Sequence, residues 1–127
     1  MTAPAPKIKQ PGRDHPITIE KNPLRVRVIA GGVIVAETTQ ALTLREANYP
    51  PVQYIPRKDI VADLFEKSDR RSHCPYKGDA SYFTVTAGGL TCRDAAWSYA
   101  EPYPAVSRIA GHLAFYPDRV DAIEELA

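Results

Sequence analysis

The feature that most constrains the fold is a pair of similar segments, each with two adjacent glycines between apolar runs. They are RVRVIAGGVIVAE (residues 25–37) and SYFTVTAGGLTCRDAAW (residues 81–97). A Gly-Gly pair in this setting is typical of a two-residue hairpin loop, because glycine tolerates the positive φ angles that such a loop requires. The sequence therefore predicts antiparallel hairpins around Gly31-Gly32 and Gly88-Gly89. Their shared Ala-Gly-Gly core indicates either a duplicated hairpin or two hairpins that use the same loop independently.

Side-chain alternation in the second hairpin puts one carboxylate on an apolar face. If Gly88-Gly89 is the loop, Phe83 pairs with Asp94, and Asp94 then points toward the core. A buried carboxylate without a partner has a raised pKa and could act as a general base. Asp94 could equally form a structural ion pair with Arg57 or Lys77. A three-residue loop would reverse the alternation and expose Asp94.

The segment PAVSRIAGHLAFY (residues 104–116) carries apolar side chains at helical spacing. Pro104 suits the first turn of a helix, and Pro117 would end it. Elsewhere the 12 prolines of the chain favour short strands and loops over a helical bundle. The predicted fold class is therefore α+β, mainly antiparallel β with one main helix near the C-terminus.

Length and charge limit the classes of protein. The 127 residues fit one domain, predicted as a compact β-rich unit over residues 15–127 behind a flexible Pro-rich tail over residues 1–14. A formal net charge of +1 argues against nucleic acid or a membrane as partner, and no run approaches the roughly 18 apolar residues of a membrane span. The N-terminal segment lacks the apolar core of a signal peptide, so the predicted compartment is the cytoplasm. Exposed edge strands in so small a domain make a homodimer a further expectation.

The segment HCPYKG (residues 73–78) concentrates reactive side chains. It does not read as a phosphate-binding P-loop, because the glycines that must precede a Gly-Lys-Ser/Thr sequence are absent. Lys77 could still bind a phosphate or carboxylate as a point charge. Cys74 lies near His73 and Lys77, and positive neighbours favour the reactive thiolate. Cys74 could equally be a small buried hydrophobic residue.

Four blocks of sequence resemble the bacterial family called domain of unknown function 427. They are YPPVQYIPRKDI (residues 49–60), HCPYKGDASYFTV (residues 73–85), DAAWSY (residues 94–99) and IAGHLAFYPDRVD (residues 109–121). The blocks stand in the family's order, the resemblance runs from about His15 to the end, and the block around residues 74–78 is the most specific. Members are small and β-rich, and the family is sometimes labelled nucleotidyltransferase-like. The resemblance implies the fold and the place of a site, and says little about a reaction.

Aromatic and charged residues occur in the same blocks, which predicts a ligand pocket with apolar walls and a few polar anchors. The predicted ligand-binding residues are Tyr54, Arg57, Tyr76, Lys77, Gly78 and Trp97, and the candidate catalytic residues are Cys74 and Asp94. Tyr82 and Tyr99 are further candidates for the walls. Each aromatic residue could instead belong to an ordinary core, and Arg57 could pair with Asp59 or Asp63 on the surface.

Three functions remain open. The first is binding of a small anionic or aromatic ligand in a pocket formed by Arg57, residues 74–78 and residues 94–99, with Arg57 and Lys77 on the anionic group and Trp97 and Tyr76 stacking. The second is a transferase or hydrolase that uses Cys74 or Asp94 in the same pocket. The third is a protein-interaction domain without a catalytic site. No cofactor is predicted, and no metal site, because the cysteines and histidines lack the local pairs typical of zinc sites.

Overall fold

The computed structural model describes residues 7–127 and is mostly antiparallel β-sheet, with 55% strand and 10% helical residues. The strands are β1 (Ile17–Lys21), β2 (Arg25–Ala30), β3 (Val33–Thr38), β4 (Leu42–Glu46), β5 (Val52–Tyr54), β6 (Phe65–Cys74), β7 (Gly78–Ala87), β8 (Leu90–Ser98), β9 (Leu113–Phe115) and β10 (Ala122–Leu126). Short 3-10 helices cover Arg57–Asp59, Ala62–Leu64 and Pro104–Ile109. None of the helices in this part of the chain has the length and apolar character needed to cross a membrane.

The strands form three antiparallel sheets, in the orders β1-β4-β5, β10-β2-β3 and β6-β7-β8-β9. Two apolar clusters fill the space between them. The first is built from the hairpin strands around Val28, Val35 and Val85, which are fully buried. The second contains Tyr54 and Ile109 together with other tyrosines, and it includes residues of β4 and β5. The candidate site described below lies in the second cluster.

The two Gly-Gly pairs form the loops of two hairpins. Ala30 pairs with Val33 across the first loop, and Ala87 pairs with Leu90 across the second. All four loop glycines have positive φ angles, between 57° and 82°. A residue with a Cβ adopts such angles only with strain, so the glycines determine where each chain reversal occurs.

The likeness of the two hairpins extends to the third strand of each sheet. In the first hairpin sheet, the C-terminal strand β10 pairs with β2. In the second hairpin sheet, β6 pairs with β7 in the same way. Ile123 of β10 lies opposite Val28, and Phe65 of β6 lies opposite Val85. Since Val28 and Val85 hold the same position before their Gly-Gly loops, β10 and β6 have equivalent registers. The strand beside β2 and the strand beside β7 therefore occupy equivalent places in the two hairpin sheets.

The end of β5 also meets the start of β9. Ile55 and Leu113 exchange both backbone hydrogen bonds, each at 2.8 Å. Because Trp97 of β8 lies opposite Ala114 of β9, this junction brings Trp97 close to Tyr54 at the end of β5. Residues of β5 and β8 thus face one another at the candidate site.

The predicted main helix near the C-terminus is wrong. Residues Pro104–Ile109 form a short 3-10 helix with a kink at Val106, whose φ is −124° and ψ is 25°. Gly111 then has a φ of 71°, a left-handed conformation that ends any right-handed helix, and Leu113–Phe115 becomes strand β9. The apolar spacing that suggested a helix reflects burial, because Val106 and Ile109 are fully buried in the second cluster. The fold is mostly β rather than α+β with a main helix.

The pairing of Phe83 with Asp94 that the sequence predicts is not observed either. Phe83 pairs with Ala96, because the register of β7 and β8 shifts between Phe83 and Val85. Asp94 lies at this irregularity with a φ of 49°. Between the pairs Val85–Cys92 and Phe83–Ala96, β8 has three residues where β7 has one, so β8 carries two extra residues. An even number of extra residues keeps the side-chain alternation beyond them, but it takes Asp94 itself out of the pairing. The two-residue loop is present, but it does not determine the position of Asp94.

The predicted N-terminal tail, residues 1–14, falls partly outside the described residues, which begin at residue 7. In the described part, the backbone N–H of Lys9 donates to the carbonyl oxygen of Pro75 at 2.9 Å. Gly12 and His15 form an isolated bridge that directs His15 toward β4. This segment therefore contacts the turn between β6 and β7.

Candidate functional site

Three of the predicted ligand-binding residues, Tyr54, Lys77 and Trp97, line one cavity of about 220 Å³, which we call the inner cavity. The other residues that line it are Leu44, Glu46, Tyr49, Val52, Tyr82, Tyr99 and Tyr116. Its walls are thus mainly aromatic, while Lys77 and Glu46 bring charge into it. Since a water molecule occupies roughly 30 Å³ in the liquid, the inner cavity has room for a small head group such as a carboxylate.

Tyr54 and Trp97 form a fixed corner of the inner cavity. The indole Nε1–H of Trp97 donates to the hydroxyl oxygen of Tyr54 at 3.2 Å. Their ring planes are perpendicular, with centroids 6.3 Å apart, which is the edge-to-face arrangement that aromatic pairs favour. Tyr116 lies against the other side of Trp97, with ring centroids 4.6 Å apart. The indole is therefore held in place by both neighbours.

Lys77 and Glu46 form a largely buried ion pair in the cavity. The Nζ of Lys77 donates to Oε1 of Glu46, and the two side chains are only 11% and 12% exposed. Nε2 of His15 lies 2.7 Å from the other carboxylate oxygen, Oε2. The backbone N–H of Tyr103 donates to the carbonyl oxygen of Lys77 at 3.0 Å and so fixes the turn that carries Lys77. The carboxylate of Glu46 is thus engaged on both oxygens.

The pKa of Glu46 reflects these contacts. Burial alone would raise the pKa of this carboxyl, but the hydrogen bonds and positive charge of Lys77 and His15 outweigh burial and hold its pKa below the ordinary value of 4.5. Glu46 is therefore a carboxylate at neutral pH. It balances the charge of the Lys77 ammonium, so the pair brings little net charge to the cavity.

The phenols of the cavity remain hydrogen-bond donors at neutral pH. Burial raises the pKa values of Tyr54, Tyr99 and Tyr116 above the ordinary value of 10. The oxygen of Tyr54 accepts from Trp97, so the phenol hydrogen of Tyr54 is still available. Lys77 has three N–H groups, and its contact with Glu46 uses one of them. The polar side chains of the cavity thus offer more donors than acceptors.

A larger apolar groove of about 770 Å³, which we call the outer groove, adjoins the inner cavity. The two share Tyr49, Val52, Trp97 and Tyr116 as lining residues. The outer groove is completed by Val28, Pro50, Pro51, Gln53, Ile55, Phe115, Pro117, Ile123 and Glu125. The shared residues make the two cavities neighbours, with the ion pair in the lining of the inner cavity and mainly apolar side chains in that of the outer groove.

Tyr76 and Gly78 shape the turn beside the inner cavity and are not among its lining residues. The ring of Tyr76 stacks on that of His15, with centroids 3.9 Å apart and planes 5° from parallel. Gly78 begins β7 with a φ of 107°, a conformation that favours glycine. These residues position Lys77 and His15, and a direct role of either in ligand binding stays a prediction.

Cys74 is a half-buried free thiol in the last position of β6. It pairs with Gly78 across the turn and packs against the tyrosine cluster, but it is not among the residues that line the inner cavity. Cys74 therefore lies near the aromatic residues of the cavity without lining it. A catalytic role for Cys74 stays a prediction that this placement does not support.

Asp94 and Arg57 lie away from the inner cavity. Asp94 lines a separate polar cavity of about 530 Å³ together with residues such as Arg70 and Arg93. Its Oδ1 is buried and has no hydrogen-bond partner within residues 7–127. The guanidinium of Arg57 lies 5.3 Å from the ring centroid of Phe83 and belongs to the lining of neither cavity. The predicted pocket of Arg57 with residues 74–78 and 94–99 is therefore not a single cavity.

Sequence reasoning missed Glu46 and His15 around Lys77, and it also missed several residues of the cavity walls, namely Leu44, Tyr49, Val52 and Tyr116. Glu46 is 31 positions from Lys77 in the chain, and the pairing of β4 with its neighbours brings it close. One signal was present, because Glu46 follows Leu44 at the alternate position of the strand and so shares its face. A carboxylate in register with apolar residues indicates a buried partner. Nothing comparable in the sequence marks His15.

Comparison with known proteins identifies the family to which the chain belongs. A family model described as "Domain of unknown function (DUF427)" matches residues 18–126, nearly the whole chain. No curated protein matches the sequence. Within the described residues, no group of three or more His, Cys, Asp or Glu side chains is placed to hold a metal ion.

Proposed function

We propose that this chain, which belongs to the domain of unknown function 427 family, binds a small ligand across the inner cavity and the outer groove. The observation that carries the proposal is the buried Lys77–Glu46 pair in an aromatic cavity that shares four lining residues with a neighbouring apolar groove. Mostly apolar concave surfaces with a few fixed polar groups are typical of small-molecule sites.

The donors of the inner cavity select the chemistry of the ligand head. Lys77 and the phenols of Tyr54 and Tyr99 offer hydrogens to acceptor oxygens, so a carboxylate or a carbonyl fits this end. The outer groove fits a flat apolar body, which would lie against Trp97 and Tyr116. The expected ligand is therefore small, aromatic or apolar, and rich in acceptor oxygens at one end.

Binding is favoured over catalysis by Cys74 or Asp94 because neither residue lines the inner cavity. A transferase or hydrolase of the predicted kind would need the nucleophile or the base within hydrogen-bond reach of a ligand held by Lys77. Asp94 lines a different cavity, and Cys74 packs against the tyrosine cluster without lining the inner cavity. The geometry supports a binding protein, with a cytoplasmic location and a homodimer as further predictions from the sequence.

Trp97 provides the test, because it is the only tryptophan of the chain. We propose titrating the protein with benzoate and 2-naphthoate while following indole fluorescence and thermal unfolding. A ligand that binds only the folded state raises the apparent melting temperature, and a ring against Trp97 changes its emission. We expect Lys77→Met to weaken binding by about tenfold, as for loss of a charge-assisted hydrogen bond, and the exposed Lys58→Met to leave it unchanged. Titrations in which neither acid affects fluorescence or melting temperature would contradict the proposal.

A further inference from the structure

We propose that Lys77 forms an imine with ligands that carry an aldehyde or ketone in the inner cavity. This inference rests on the proposed function and names a ligand class and a covalent step for the same site. It is carried by a lysine that is 8% exposed, lines the cavity, and contacts a carboxylate directly. Lysines in apolar pockets commonly act as nucleophiles toward carbonyl carbons.

The Lys77–Glu46 ion pair also suits a reaction of the Lys77 amine with a carbonyl group. Because Glu46 already balances the ammonium charge, the electrostatic pull of Lys77 on a further anion is reduced. The same contact puts a proton acceptor on the Lys77 Nζ, and an amine must lose a proton before it can attack a carbonyl.

The remaining polar groups suit the carbonyl oxygen. Tyr54 and Tyr99 line the cavity as protonated phenols, and the hydrogen of Tyr54 is available because its oxygen accepts from Trp97. A donor on the carbonyl oxygen stabilises the negative charge that develops there during attack. The outer groove would hold the apolar remainder of the aldehyde or ketone.

The step balances without an oxidant or a reductant. Lys77 Nζ gives a proton to Glu46, and its lone pair then bonds to the carbonyl carbon while the carbonyl π electrons move to oxygen. Transfer of one proton from nitrogen to that oxygen gives a neutral carbinolamine. Glu46 returns its proton to the hydroxyl, which leaves as water while the nitrogen lone pair forms the C=N bond. The product is a protonated imine beside the regenerated Glu46 carboxylate, so the total charge is unchanged.

The test uses benzaldehyde, 2-naphthaldehyde and decanal as probes, with sodium cyanoborohydride to reduce any imine to a stable secondary amine. Peptide mass spectrometry of the wild-type protein then compares the labelling rate of Lys77 with those of the exposed Lys21 and Lys58 in the same digest. We expect Lys77 to be labelled at least about tenfold faster by one or more aldehydes, although it is the least accessible of the three. Because the comparison is internal to the wild-type chain, it does not depend on the folding of a variant.

Two variants and a competition complete the experiment. Glu46→Gln removes the proton acceptor and is expected to slow Lys77 labelling by about tenfold or more, while Lys58→Met leaves it unchanged. Excess 2-naphthoate should protect Lys77 and not Lys21. Labelling of Lys77 no faster than that of Lys21 and Lys58 with all three aldehydes overturns the imine. If naphthoate still binds in that case, the proposed function stands, and if neither acid nor aldehyde engages the site, both proposals fall.

Discussion

The backbones of Gly31 and Gly88 touch where the two hairpin loops meet. A Cβ on Gly88 would lie 1.8 Å from the carbonyl oxygen of Gly31, and a Cβ on Gly31 would lie 2.0 Å from that of Ala87. Both glycines have a φ of 57°. The second glycines of the loops, Gly32 and Gly89, also have positive φ, but no atom lies within 4 Å of a Cβ built on either. In each Gly-Gly pair, the first glycine thus allows the two loops to touch, and the second is needed only for chain reversal.

This division of roles predicts different costs for alanine in the second loop. Gly89→Ala should destabilise the fold by about 1 kcal/mol, the strain of a left-handed alanine. Gly88→Ala adds an overlap with the backbone of Gly31, which no side-chain movement relieves, and should cost on the order of 3 kcal/mol or more. Urea unfolding of the two variants measures the difference. Equal destabilisation would show that the loops do not touch in solution.

The sequence was sufficient to predict the hairpins because their loops are determined by adjacent residues. Gly31-Gly32 and Gly88-Gly89 require a local conformation that few other residues adopt, and apolar strands flank them. The main helix was wrong because helical spacing at residues 104–116 also fits a kinked 3-10 helix followed by a strand. Leu113 joins that strand through hydrogen bonds with Ile55, a partner from the other half of the chain. Such long-range pairing leaves no trace in local periodicity.

The lining of the inner cavity was predictable only in part, because it also depends on long-range strand pairing. Tyr54, Lys77 and Trp97 were identified by composition within sequence blocks, and they line one cavity. The predicted partner of Asp94 was wrong because two extra residues in β8 shift the β7–β8 pairing, so that Phe83 lies opposite Ala96 and Asp94 falls outside the pairing. Glu46 was missed because only strand pairing brings it to Lys77. Residue type thus indicated three of the side chains that line the inner cavity, whereas their partners depend on strand registers that the sequence does not display.

Loss of the Glu46 carboxylate should destabilise the protein at neutral pH. Glu46→Gln leaves the ammonium of Lys77 largely buried without a counter-charge, and we expect a loss of about 2 kcal/mol. That figure lies below the cost for a fully buried pair, because both side chains keep some exposure and the amide still accepts a hydrogen bond. Denaturant unfolding at pH 7 measures it. Glu37→Gln, at the more exposed pair with Arg27, is the matched control and should have a smaller effect.

The same carboxyl predicts a dependence of stability on pH. The pKa of Glu46 is lower in the folded protein than its ordinary value of 4.5, so the unfolded chain binds the proton first as pH falls. The contribution of Glu46 is therefore present above pH 4.5 and is lost as pH decreases through the folded pKa. The free-energy difference between wild type and Glu46→Gln should shrink from pH 7 toward acid. A difference that stays constant down to the acid transition would contradict the buried pair.

The hydrogen bond between Trp97 and Tyr54 predicts a coupled change in stability and fluorescence. Tyr54→Phe keeps the edge-to-face packing but leaves the indole N–H without its phenol partner, at an expected cost of about 1 kcal/mol. The emission maximum of Trp97 should shift, because the polar environment of the indole changes. Tyr76→Phe keeps its ring against His15 and should leave the emission unchanged. Identical emission spectra for Tyr54→Phe and wild type would argue against this contact.

Buried phenols predict that the fold weakens in alkali. Burial raises the pKa values of Tyr54 and Tyr99 above the ordinary value of 10, so the unfolded chain loses these protons first. Their contribution is fully present below pH 10 and is lost as pH rises toward the folded pKa values. Tyr99→Phe removes one such group and should reduce the slope of unfolding free energy against pH above 10. Tyr49→Phe, at a residue that is 66% exposed, should keep the wild-type slope. Phenolate absorbance followed alongside unfolding distinguishes the two cases, because a buried Tyr99 must ionise together with loss of structure. Ionisation of all seven tyrosines before unfolding would contradict the burial of the cavity walls.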